Sequence, residues 1–381
     1  MIYLDNAATT LTKPKEVYEK MDWVNRNLSV NAGRGSYRAA KEASRIIETT
    51  REMLLSLVHS VGLEKVVLTT SATEALNIIL NGIPFKKGDV VFVSPYEHNA
   101  VARTLEIIKN KVGIRVELMP LDCDTLEIDL EKLKYMFIKS NPKCVCCTHV
   151  SNVTGYILPV SEIFQLARKF SAITVLDASQ SMGLVPINVQ ELEVDFVAFA
   201  GHKTLYGPFG ASGFVDCSDI GLDCWHAGGT GSDSLNLNMP VRSPERYEAA
   251  SKNIVAIAGL QAALSVLNQQ ENFQIEKKMT MYAIEKLKSI PDVHTYRPRD
   301  VKKNHIAVIS FTVDGYLSED LGMILDEDFD IAVRTGYHCA PYIHQYLKDE
   351  EQLGTVRIGI GRNTTEEEID ALYEALVELT E

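Results

Sequence analysis

Residues 144–180 read CVCCTHVSNVTGYILPVSEIFQLARKFSAITVLDASQ, and this stretch decides the fold class. It holds a continuous apolar run, CVCCTHV (144–150), then a polar turn, then the helix-like VSEIFQLARKF (160–170), then a second β-rich run, ITVL (173–176). Apolar runs without alternation suit strands covered on both faces, and a helix between two of them makes a parallel crossover. Outward from this unit the same grammar repeats. VVLT (66–69), VVFV (90–93) and RVEL (115–118) precede it, DFVAFA (195–200) and ASGFV (211–215) follow it, and ATEALNIIL (72–80) supplies another intervening helix. The expected fold class is α/β, with a mostly parallel seven-stranded sheet and helices on both faces.

Beyond residue 250 the pattern changes. NIVAIAGLQAALSVL (253–267) and a second amphipathic stretch reaching about residue 290 read as helices. AVISFTV (307–313), VRTGYHC (333–339) and VRIGI (356–360) read as strands, and TEEEIDALYEALVEL (365–379) reads as a terminal helix capped by Thr364 or Thr365. We therefore expect an N-terminal arm over 1–13, a large domain over 14–250 and a small C-terminal α+β domain over 251–381.

Bulk properties remove several classes of partner. A chain of 381 residues can bury a sizeable core, and its 46% hydrophobic and 23% charged content is ordinary for a globular protein. The formal net charge of −13 argues against a generic grip on nucleic acid, which needs surplus Lys and Arg. MIYLDNAATT lacks the basic and apolar regions of a secretory signal, and no apolar run is long enough to span a membrane. The seven cysteines are odd in number, with Cys144, Cys146 and Cys147 crowded into one strand, which suits neither a disulfide framework nor a zinc site. A cytoplasmic protein without a metal is the expectation.

In an open α/β sheet, ligands gather where strand ends feed loops and helix N-termini. Five such loops carry polar residues: Thr70-Ser71-Ala72-Thr73, Glu97-His98-Asn99, Ser151-Asn152, Asp177-Ala178-Ser179-Gln180, and Gly201-His202-Lys203. One alone is an ordinary loop or helix cap; five in succession on one sheet edge make a site. Lys203 offers an amine for a Schiff base, Asp177 a carboxylate for a pyridinium nitrogen, and the Ser71–Thr73 helix start an anion site. Pyridoxal 5′-phosphate (PLP) needs these three groups.

Taken in order, YLDNAATT, TTSATEALN, YEHNA, HVSNVTG, LDASQSMG, AGHKTLYGPFG, RYEAASKN and RTGYHCAP resemble the class V aminotransferase family, in its cysteine desulfurase and selenocysteine lyase branch. The likeness runs from about residue 2 to 370 and implies the PLP-dependent transferase fold type I. It implies that Lys203 carries the Schiff base and Asp177 pairs with the ring nitrogen. Gln180 and Asn152 would approach the ring oxygen, and His98 would stack on the ring and move protons. Ala72, Thr73 and His202 would hold the phosphate. Ser251 would reach the phosphate of a neighbouring subunit in a homodimer, and Arg357 would bind the substrate carboxylate with its planar fork.

Cys339, in Arg334-Thr335-Gly336-Tyr337-His338-Cys339-Ala340-Pro341, is the second reactive centre. The cysteines of the Cys144–Cys147 strand read as small buried hydrophobes. Cys339 instead lies in a glycine- and proline-flanked turn beside Arg334 and His338, and cations beside a thiol favour its thiolate. The resemblance implies that this thiolate takes sulfur from L-cysteine as a persulfide, leaving L-alanine, and passes it to an acceptor protein or thiol. The alternatives are a selenocysteine lyase acting on L-selenocysteine, a PLP-dependent transaminase or β-lyase, and a scaffold without turnover.

Several positions depart from the branch's better-known members. Ala200 stands where a serine commonly contacts phosphate, Ala250-Ser251-Lys252 replaces Gly-Thr-Pro and would add charge near the anion, and Tyr337 and Tyr37 stand where histidines are found in relatives.

Overall fold

The computed structural model describes residues 1–33, 35–231 and 235–381. Its main sheet has seven strands in the order Lys65–Thr69, Ser212–Asp216, Phe196–Phe199, Ile173–Asp177, Cys144–Thr148, Val90–Val93, Arg115–Leu118. All seven coincide with the runs read from sequence to within two residues at either end. Neighbours pair in parallel except Ser212–Asp216, which is antiparallel to both of its partners. The loop before that strand carries Lys203 and contains no helix, so the chain cannot make a parallel crossover there and returns beside its origin.

Alternate residues of every strand but the edge strand Arg115–Leu118 enter opposite cores. Val66, Leu68, Val145, Cys147 and Leu176 face one, while Val67, Val91, Cys144, Cys146 and Val175 face the other. This two-sided burial explains why the strands read as unbroken apolar runs, and why three cysteines sit in one of them as packing residues. The helix Ile254–Ser265 lies beyond residue 250 in sequence, yet Ile257, Ala258 and Leu260 pack into the large sheet's core.

The C-terminal part is an antiparallel sheet in the order Val293–Tyr296, Val308–Val313, Thr355–Gly359, Arg334–Gly336. The helices Gln269–Lys288 and Glu366–Thr380 cover it, around a core that includes Ile284, Phe311, Ile358 and Leu372. Thr365 caps the last helix in a reciprocal box with Glu368. The strand expected through 339 ends at Gly336, because Gly336, His338 and Cys339 have φ of +88°, +47° and +59°. Such left-handed backbone cannot continue a strand, and it throws Cys339 out of the sheet. The N-terminal arm joins this part of the molecule: Ile2–Tyr3 pairs in parallel with Ile331–Ala332, and Asp5 bridges Gly359.

A buried contact ties the Lys203 loop to the C-terminal helices. Tyr206 Oη donates to Glu276 Oε1 at 3.1 Å and accepts from the Arg362 N–H at 2.7 Å. Burial pushes the Glu276 carboxyl up to about 8. The folded chain therefore keeps a proton that the unfolded chain loses near the ordinary glutamate value. This contribution to stability is complete below that value and declines as pH rises toward about 8. Glu276→Gln, which keeps an acceptor for Tyr206, should flatten the fall in melting temperature between about pH 5 and pH 8 by a few degrees. Parallel melting curves for variant and parent across that range would refute the assignment.

Candidate active site

The five strand-end loops meet at one cavity of about 230 Å³. Ala72, Thr73, His98, Asn152, Asp177, Gln180, His202, Lys203 and Arg357 all line it. Parallel strands place their carboxyl ends on one edge, so the residues from Ala72 to Lys203 converge for a topological reason, and Arg357 joins them from the C-terminal sheet. Cys339 and Ser251 do not line this cavity.

Its chemistry is divided by position. Asp177 is the last residue of its strand; Oδ1 accepts the Ser179 N–H at 3.0 Å, and among the described residues nothing hydrogen-bonds Oδ2. The Lys203 amine has no hydrogen-bond partner among the described residues and is pushed down to about 8, chiefly by burial, with Asp177 opposing. That value leaves an appreciable neutral fraction near neutral pH, as a nucleophile or proton acceptor requires. His98 caps the helix Asn99–Val112 by accepting the Ala100 N–H on Nδ1 at 3.0 Å, which places its ring hydrogen on Nε2. Burial, then Lys203, pushes His98 down to about 4, so the ring is neutral.

At the opposite end, Ser71 caps the helix Ala72–Gly82 through the Glu74 N–H, and among the described residues the Ala72 and Thr73 N–H groups have no acceptor. His202 stacks on Phe209 with ring centroids 4.4 Å apart, and its Nδ1 is buried without a partner. A free amine, an open carboxylate oxygen and an unsatisfied helix N-terminus in one cavity fit PLP group by group.

Arg357 is 1% exposed. Its Nη2 donates to Asp5 Oδ1 at 2.7 Å and its Nη1 to the Asn152 carbonyl at 2.9 Å, while Nε is buried without a partner. Asn152 and Gln180 line the cavity, yet each spends a side-chain N–H elsewhere: Asn152 on the His338 carbonyl at 2.8 Å, Gln180 on the Ala7 carbonyl at 2.7 Å. Arg334 lines the cavity too, and its Nη2 donates to Cys339 Sγ at 3.2 Å. Cys339 opens onto a second, wider groove of about 810 Å³ that Arg334 also lines. One guanidinium thus spans the two spaces.

The aminotransferase class-V family model matches residues 2–372. The chain belongs to the aminotransferase class-V family. A probable cysteine desulfurase of Pyrococcus abyssi is 32% identical, with 100% of this chain and 94% of that protein covered. A cysteine desulfurase of Pectobacterium carotovorum is 31% identical over 99% of this chain and 92% of that protein. Among solved structures, the apo cysteine desulfurase of Thermococcus onnurineus superposes with a TM-score of 0.89 at 32% identity, covering 100% of this chain and 94% of that one. An Escherichia coli cysteine desulfurase in an S-sulfonic acid form gives 0.86 at 26% identity, covering 100% and 95%.

Within this class-V family chain, several sequence expectations take concrete form. Ala200 does line the cavity. Lys252 adds no free charge, because it pairs at 2.8 Å with the buried Glu248. Tyr37 is 53% exposed and lies outside the cavity. Ser251 is exposed, and its hydroxyl accepts from Asn31 Nδ2 at 3.2 Å. Sequence reading missed the arm's contribution: Ala7 and Ala8 line the cavity and Asp5 holds Arg357. The LDNAA motif marked the segment, but no local spacing tied it to a strand 350 residues later.

Proposed function

We propose that this chain is a PLP-dependent cysteine desulfurase that converts L-cysteine to L-alanine and takes the sulfur onto Cys339 as a persulfide. The observation that carries this reading is Arg334, which touches Cys339 Sγ while lining the cavity that holds Lys203 and Asp177. The names of the relatives at 31% and 32% identity support it.

Lys203 would hold PLP through its amine, Asp177 would hold its ring nitrogen, His98 would stack on its ring, and Ala72, Thr73 and His202 would hold its phosphate. When bound, PLP supplies an electron sink for the charge left at the substrate Cα. Arg357 binds the substrate carboxylate. The Lys203 amine, brought toward neutrality by burial, takes the Cα proton. The neutral His98 donates from Nε2. Arg334 holds the Cys339 sulfur for attack on the substrate sulfur. The substrate's Cβ–S bond breaks and an S–S bond forms. Both sulfurs are oxidised by one electron, and the electron pair ends on Cβ, which gains a proton. L-Cysteine and one enzyme thiol thus give L-alanine and one persulfide, in balance.

The sulfur then leaves to an acceptor thiol or protein. The exposed position of Ser251, away from its own cavity, supports a homodimer in which it serves the neighbouring site. All seven cysteines are unpaired, which supports a reducing cytoplasm, and among the described residues no helix is long and apolar enough to cross a membrane.

Product analysis tests the reading. With L-cysteine and no added reductant, the PLP-loaded protein should release a rapid burst of about one alanine per chain and then slow to the rate at which substrate thiol clears the persulfide. With dithiothreitol, alanine and sulfide should accumulate at equal rates. Pyruvate and ammonia in place of alanine would replace this reading by β-elimination, and turnover of L-selenocysteine alone would replace it by a selenocysteine lyase.

A further inference from the structure

The turn that presents Cys339 is held by a buried pair outside the cavity. His338 and Cys339 are its central residues, both left-handed, and the Tyr337 carbonyl closes it by accepting the Ala340 N–H at 3.0 Å. Two successive left-handed residues with side chains are disfavoured, so the surroundings must hold this backbone. Three carbonyls in a row are pinned. Asn99 N–H reaches the Cys339 oxygen at 2.7 Å, Asn152 reaches that of His338 at 2.8 Å, and His344 Nε2 reaches that of Tyr337 at 3.0 Å.

The first two anchors come from residues beside the cavity. The third is built separately. His344 Nδ1 lies 2.5 Å from Asp349 Oδ2, with the histidine 6% exposed and the aspartate fully buried. Among the described residues Oδ1 of Asp349 has no hydrogen-bond partner, so the carboxyl group is held through the ring. A carbonyl only accepts, so Nε2 must bear a hydrogen. With the Asp349 carboxyl at Nδ1 and the Tyr337 carbonyl at Nε2, the ring is held at both of its nitrogens and its orientation is fixed. The Tyr337 ring packs edge-on against His344 with centroids 5.0 Å apart. Ala340, Ile343 and Leu347, around it in sequence, are buried in the large core and give the pair a rigid base.

We propose that His344, oriented by Asp349, is a positioning residue that holds the Tyr337–Ala340 turn so that Cys339 is presented for sulfur transfer. The inference rests on the role of Cys339 given above, and nothing in it concerns Lys203. Loss of the pair should therefore separate the two halves of the reaction. Exchange of the L-alanine Cα proton with solvent deuterium needs the Lys203 half alone. Cys339 reactivity, followed in the holoenzyme by peptide mass spectrometry after iodoacetamide, reports the turn.

In His344→Leu, alkylation and single-turnover persulfide formation at Cys339 should slow about tenfold while alanine exchange stays within about twofold. Asp349→Asn should stay near the parent in both, because its carboxamide can donate to Nδ1 and leave the Nε2 hydrogen facing Tyr337. Asp349→Leu should behave like His344→Leu. Equal losses of exchange and alkylation in His344→Leu, or unchanged alkylation, would overturn the proposal. If melting shows that His344→Leu is unfolded, the comparison of Asp349→Asn with Asp349→Leu decides, and equal Cys339 reactivity in those two overturns it. Alkylation does not depend on the substrate assignment, so failure here is distinguishable from failure of the desulfurase reading.

Discussion

Replacing Lys203 by alanine should lower alanine release from L-cysteine by at least about a thousandfold, because no other lysine lines the cavity. In the proposed function the residue carries two duties there: it would hold the cofactor and move the Cα proton. Losing both removes the chemical step while leaving the fold intact, since its amine makes no hydrogen bond within the described structure. The measurement is chromatographic detection of alanine, with melting temperature as the control for folding. A variant that keeps more than about a tenth of the parent rate would show that another group supplies the base. Exchange of the L-alanine Cα proton should vanish in the same variant. That loss separates the failure from any defect confined to sulfur transfer.

Cys339→Ser should give the complementary result. Desulfuration should fall by about a hundredfold or more, because a serine oxygen cannot carry the sulfane sulfur. The L-alanine exchange reaction should continue near the parent rate, because Lys203, Asp177 and the helix start at Ala72 are untouched. The change replaces one atom, and Arg334 can donate to either atom. Sulfide release at the parent rate would remove Cys339 from the mechanism. Undiminished turnover of L-selenocysteine in this variant, beside lost turnover of L-cysteine, would show that the selenium substrate bypasses the thiol.

The parts of this molecule that were legible in the sequence are those written in local patterns. Apolar runs marked six strands of the large sheet, because burial on both faces suppresses alternation, and the alternating RVEL marked the half-exposed edge strand Arg115–Leu118. Polar residues just after those runs marked the site, because parallel strands bring their ends to one edge. The unread parts depend on contacts between distant and chemically ordinary residues. Nothing near Asp5 announces that it will pair with Arg357, and nothing in His344-Gln345-Tyr346-Leu347-Lys348-Asp349 separates a structural pair from a surface one. The strand forecast for 333–339 overshot for a related reason. Its residue types suit a strand, and only the left-handed backbone from Gly336 onward shows that the chain turns there.

The arm described with the fold has a consequence for how the molecule comes into being. Ile2–Tyr3 and Asp5 find their partners at Ile331–Ala332, Arg357 and Gly359, near the other end of the chain. On a ribosome these first residues emerge long before their partners exist. The large sheet can be complete, and Lys203 in place, while the Arg357 side of the cavity is still unbuilt. The strand that carries Arg357 thus acts as an assembly checkpoint: until it is made, the chain can display the Lys203 amine but lacks the guanidinium that, in the proposed function, orients an amino acid beside it.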